Sequence, residues 1–150
     1  DSRERGLPQL VVSLHACDTA TDIVLTKAAQ WHAKVILSTP CCHHALARVI
    51  DCPELAFVTD HPFLSRKLCD VLTDAARLAR LDAEGYVTTA MELTDPDDTP
   101  KNVLLRAVLD DAPDPSRLAA CRERYESIRR FLAAGDPEGA RGALPDVIYD

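Results

Sequence analysis

The chain of 150 residues carries 47% hydrophobic residues and a formal net charge of −7. That size suits one globular domain with its own core, and no apolar run is long enough to span a bilayer. The acidic balance excludes nucleic-acid binding by bulk electrostatics alone, because phosphate contacts need clustered Lys and Arg.

The opening, Asp1-Ser2-Arg3-Glu4-Arg5, has no apolar segment of the signal-peptide kind and no initiator Met. A buried-type strand follows almost at once, at Leu10-Val11-Val12-Ser13-Leu14. We expect a cytoplasmic piece of a longer polypeptide, with no membrane partner. Asp18-Thr19-Ala20-Thr21-Asp22 then offers side-chain oxygens suited to a helix N-terminus, and Ile23 to Trp31 supplies the helix. Lys34-Val35-Ile36-Leu37-Ser38 is a second β-branched run, so the pair reads as neighbouring parallel strands joined by a helix.

His44 to Ile50 reads as a short helix. From Pro62 to Glu84 the apolar spacing is helical, and Gly85 is placed as its C-cap glycine. Tyr86 to Leu93 and Asn102 to Leu109 are strand-like, separated by the turn cluster Asp95-Pro96-Asp97-Asp98-Thr99-Pro100, and form an antiparallel hairpin with a long loop. A linker, Asp110 to Pro115, precedes a helix bearing Arg117, Arg122, Arg124, Arg129 and Arg130. That helix is read as having a solvated arginine face, with a phosphate-facing patch as the alternative. The tail from Gly135 is expected to be loosely ordered.

The expected fold is α/β, with parallel strands, an antiparallel terminal hairpin and flanking helices. This is the second half of a doubly wound sheet, with residues 1–110 forming the half-domain and 111–150 its appendage. Such a half leaves a parallel edge unpaired, through which two copies could pair.

Chemistry concentrates in two clusters directly behind the parallel strands: Leu14-His15-Ala16-Cys17-Asp18 and Thr39-Pro40-Cys41-Cys42-His43-His44. In open α/β sheets, ligands bind outside the carboxyl ends of the strands. The six cysteines do not read as a disulfide framework, since Cys41 and Cys42 are adjacent and the rest are dispersed through a chain with its own core. Zinc on Cys17, Cys41, Cys42 and His44 is one reading, but the spacing argues against it. A cysteine nucleophile at Cys17 or Cys41, paired with His15, His43 or His44 and oriented by Asp18 or Asp22, is another. Lys101 and Asn102 stand where the long loop re-enters the sheet. Asp74 and Arg77 have the spacing of a helical ion pair. No glycine-rich phosphate loop occurs.

Four segments together resemble a group of class I S-adenosylmethionine-dependent methyltransferases. They are Leu14-His15-Ala16-Cys17-Asp18-Thr19-Ala20-Thr21-Asp22, Pro40-Cys41-Cys42-His43-His44, Leu72-Thr73-Asp74-Ala75-Ala76-Arg77 with Gly85-Tyr86, and Thr99 to Ala107. The group is distantly similar to the enzymes that 2′-O-methylate the tRNA acceptor stem. The resemblance runs from Leu10 to Ala107 and implies a Rossmann-like half-domain carrying the substrate side of a methyl-transfer site.

On that basis His15, Asp18 and His43 are the catalytic candidates, while Cys17, Asp22, Pro40, Cys41, Cys42, Lys101 and Asn102 line the pocket. The cofactor would be S-adenosylmethionine, held mainly by elements upstream of Asp1, so the chain alone is expected to be inactive. Its partners would be the methyl acceptor, with RNA preferred, and the N-terminal half of the same polypeptide. The rival reading is a non-catalytic or zinc-stabilised Rossmann-like module that binds RNA or protein.

Overall fold

The computed structural model describes residues 6, 9–41, 43–93, 102–133 and 143–148. Strand β1, Leu10–Leu14, leads through helix α1, Thr19–Gln30, to strand β2, Val35–Thr39. The two strands pair in parallel, from Leu10 opposite Val35 to Leu14 opposite Thr39. Helix α1 starts four residues earlier than the apolar pattern indicates, because Thr19 to Asp22 are wound into its first turn.

Three short helical pieces follow: α2 at Ala45–Val49, a 3-10 turn at Pro53–Leu55 and α3 at Ala56–Thr59. The last two lack any periodic signal in sequence. Helix α4, Pro62–Ala83, begins with proline at its first turn, where a missing amide proton costs nothing. It stops at Gly85, whose φ of +93° only glycine adopts without strain.

Strand β3, Tyr86–Glu92, and strand β4, Val103–Leu109, form the antiparallel hairpin, and helix α5, Pro115–Leu132, closes the described chain of elements. The hairpin does not simply extend the sheet. Strand β4 lies between β2 and β3, giving the order β1-β2-β4-β3, with β4 antiparallel to both neighbours. The result is a mixed α/β fold. No helix among the described residues is long and apolar enough to cross a membrane.

Helices α1 and α4 pack on one face of the sheet. Leu25, Ala28 and Ala29 of α1 and Leu81 of α4 bury Ile36, Tyr86 and Ala107 there. A second cluster joins α4 to α5 through Ala76, Tyr125 and Leu132, with Leu144 and Val147 packed in. The tail is therefore not loose throughout: Leu144 is 1% exposed. The expected loose segment from Gly135 to residue 142 lies outside the described residues.

The opposite face carries no helix among the described residues. Leu10, Val12 and Leu14 of β1 and Val87 and Met91 of β3 are exposed there, with Leu10, Val12 and Leu14 at 53%, 50% and 64%. The strand register puts Val35, Leu37 and Val108 on that same side, half-buried.

Candidate functional site

The carboxyl ends of β1 and β2 are stitched together just beyond their last residues. The His15 amide donates to the Thr39 carbonyl at 3.2 Å. The chain then turns sharply: His15 has φ +55° and Asp18 has φ +50°, positions that side chains other than glycine rarely occupy. Contacts around Asp18 hold this turn.

Asp18 stands at the start of α1 but makes no side-chain bond to it. Its Oδ1 instead accepts from the backbone amides of His44 and Ala45 at 3.2 and 3.0 Å, fastening the second cluster to the first. Its carbonyl accepts from Arg77 Nη2 at 2.8 Å.

Arg77 is the hub behind these turns. It comes from the middle of α4 and its side chain is 3% exposed. Nε and Nη2 donate to both oxygens of Asp22, at 3.0 and 2.8 Å, in a bidentate pair. Nη1 donates to Asp74 Oδ1 at 3.2 Å. Burial works against the guanidinium charge, but the Asp22 hydrogen bonds and the charges of Asp22 and Asp74 outweigh it, so its pKa lies above the ordinary arginine value. The Asp74–Arg77 helical pair read from sequence is thus one arm of a buried network.

His43 forms the next link. Its ring is 1% exposed and sits between two carboxylates of α4, with Nε2 2.7 Å from Asp74 Oδ1 and Nδ1 3.4 Å from Asp70 Oδ1. Both nitrogens face acids. The ring thus bridges Asp70 and Asp74. A continuous chain therefore runs Asp70–His43–Asp74–Arg77–Asp22 from the surface into the core.

A cleft of about 450 Å³ opens between α4 and the sheet, where β2 ends and β4 begins. Pro40, His43, Asp70 and Asp74 line it together with Lys67 and Asn102; apolar side chains of α4 and the hairpin complete it. A smaller cleft of about 280 Å³ adjoins it, sharing His43, Lys67 and Asp70 and adding Cys41, His44, Phe63 and Arg66. Lys67 Nζ lies 5.9 Å from the Phe63 ring centroid.

Of the residues expected at the site, the structure brings Pro40, His43 and Asn102 to the larger cleft and Cys41 and His44 to the smaller. Cys17 touches Cys41, with Sγ to Sγ 2.9 Å. Asp18 and Asp22 stand behind the clefts as supports, and neither they nor His15, which is exposed, line either cleft. Cys42 and Lys101 lie outside the described residues. Among the described residues, no group of three or more His, Cys, Asp or Glu is placed to hold a metal ion.

Sequence reasoning missed Asp70, Lys67 and the depth of Arg77. A signal was present: positions 70, 74 and 77 fall on one face of a helix, so two acids and an arginine there share a neighbour.

The arginines of α5 are largely occupied by the fold itself. Arg117 donates to the Tyr86 carbonyl at 3.0 Å and Arg122 to the Ala83 carbonyl at 3.2 Å, while Arg129 pairs with Asp146 at 2.7 Å. Arg130 bonds within its own helix.

Residues 2–49 match the model of a family described as a methyltransferase domain. The match covers less than half of the chain, but it spans β1, α1, β2 and both polar clusters. No curated protein and no solved structure matches. The match supports a methyltransferase domain.

Proposed function

We propose that this chain forms the acceptor side of an S-adenosylmethionine-dependent methyltransferase site, with RNA as the acceptor. The observation that carries the reading is a coincidence of place. The segment matching a methyltransferase domain is the one that delivers its polar clusters to the carboxyl ends of a parallel strand pair, beside a cleft.

Methyl transfer from a sulfonium needs in-line positioning more than strong acid–base chemistry. The cleft suits positioning: apolar walls with a few convergent polar groups. Asp70 borders both clefts at 30% exposure and is the carboxylate placed to accept a hydrogen bond or proton from an acceptor hydroxyl. His43, Asp74 and Arg77 hold it in place. Arg66 and Lys67 give the smaller cleft a cationic rim beside the Phe63 ring, a combination suited to a phosphodiester and a stacked base.

The residues do not by themselves fit the cofactor. Among the described residues the glycines are Gly6 and Gly85, neither in a phosphate-binding loop. Methyl-donor binding in this reading requires further polypeptide against the sheet. The bare apolar face supports that requirement, because parallel strands are ordinarily covered on both sides.

Calorimetric titration of the chain with S-adenosylmethionine should give no saturable heat, and micromolar binding would sink the half-site reading. Charge reversal at Arg66 and Lys67 should weaken RNA binding and flatten its salt dependence. Unchanged binding would remove this cleft from RNA recognition and favour the rival reading, a non-catalytic module for RNA or protein.

A further inference from the structure

We propose that Cys17 and Cys41 are a reversible dithiol–disulfide couple at the rim of the smaller cleft. The inference stands on thiol geometry and does not rest on the methyl-transfer reading. The two Sγ atoms are 2.9 Å apart, and each lies 3.8 Å from the same acceptor, the His15 carbonyl.

Strand register produces this contact. His15 and Thr39 are the last residues bonded across the β1–β2 pair, and each thiol sits two residues beyond. The two chains thus leave parallel strands side by side and present their cysteines at the same height. The left-handed backbone at His15 and Asp18 brackets Cys17 and turns it back toward Cys41.

Access separates this pair from the other described thiols. Cys17 is exposed and Cys41 half-buried, whereas Cys52 and Cys69 are buried; Cys121, half-buried like Cys41, packs against the α4–α5 cluster instead. Burial also pushes the Cys69 thiol above its ordinary pKa, which lowers its reactivity further.

The chemistry is exchange with a small-molecule disulfide such as oxidised glutathione. One cysteine thiolate attacks a sulfur of that disulfide, forming a mixed disulfide and releasing one small thiolate. The second cysteine thiolate then attacks the protein-side sulfur and releases the other. The protons lost by the two cysteines go to the two departing thiolates. The protein loses two electrons and the small disulfide gains them. Because Cys41 lines the smaller cleft, the new bond ties the end of β1 to that rim.

The test is to equilibrate the full chain in glutathione redox buffers, trap it with an alkylating agent and map peptides without reduction. Oxidation should lower the alkylatable thiols from six to four and yield a peptide joined through Cys17 and Cys41, reversed by dithiothreitol. C42S should keep the bond, and C17S should lose it. Glutathione adducts without a cross-link across the whole buffer series would overturn the couple. So would C41S joining Cys17 to Cys42 at the same midpoint, or stoichiometric zinc shielding both thiols in the purified chain. The wild-type map decides the matter even if a variant folds poorly.

Discussion

Arg77 and Tyr86 are both buried, and their substitution is expected to act in opposite directions. Removing the guanidinium in Arg77→Met strands Asp22, 6% exposed, and Asp74 without their cation. Breaking a buried pair from one side typically costs about 3–5 kcal/mol, so urea unfolding should show a large drop in midpoint. Tyr86 is 1% exposed, and its hydroxyl has no hydrogen-bond partner among the described residues. Tyr86→Phe removes that stranded group and should be neutral or slightly stabilising at pH 7.

The same substitution has a pH signature. Burial raises the Tyr86 pKa above its ordinary value, with the charge of Glu84 adding to the effect. The folded state therefore holds the phenolic proton more tightly than the unfolded chain, whose tyrosine titrates at about pH 10. The penalty for ionising the buried phenol is absent below that pH, and stability falls as pH rises beyond it. Tyr86→Phe should accordingly flatten the alkaline fall in stability, measured by urea unfolding on both sides of about pH 10. An unchanged slope would assign that fall to other groups, Tyr125 first among them.

At the scale of elements, local signals and their absence explain what was legible. Both parallel strands, the long α4 and the hairpin strands announce themselves by β-branched runs or helical spacing. Gly85 marks the α4 stop, and Gly85→Ala should cost about 1–2 kcal/mol from backbone strain alone, because no neighbouring atom lies within 4 Å of the added methyl position. A thermal midpoint close to wild type would show that the helix end shifts to relieve the strain.

Other features were legible only in part. Asp18 has the composition of a helix cap, yet its carboxylate serves α2, a partner brought to it by β2. The cluster residues were expected at one lip, and the structure divides them between cleft walls and buried supports. His43 reads in sequence as a candidate base. Its two acidic neighbours come from α4, a contact made by tertiary packing that no short-range spacing records.

On the scale of the whole molecule, the asymmetry of the sheet dominates. One face carries α1 and α4, and the other exposes Leu10, Val12 and Leu14 beside the β1 edge, which has no further strand among the described residues. A parallel pair bare on one side and open at its edge invites association. Replacing Leu10, Val12 and Leu14 together by Thr should reduce self-association in sedimentation velocity while leaving the unfolding midpoint nearly unchanged. A large drop in midpoint would mean that these side chains pack within the chain. The edge itself was foreseeable from strand order. The bare face was not, because β1 reads as an all-apolar run that does not distinguish its two sides.

The position of β4 also constrains how the protein folds. Val35 to Ser38 pair with Leu105 to Val108, so a central ladder of the sheet joins β2 to the last strand in chain order. Until β4 arrives, β2 has a partner on one side only and its other edge stays open. Closing so long a loop is entropically slow, and contacts between distant parts of a chain set the pace of folding. On a ribosome, β1, α1 and β2 emerge before β4 and wait with an exposed apolar ladder. The hairpin that completes them is the step at which aggregation and folding compete.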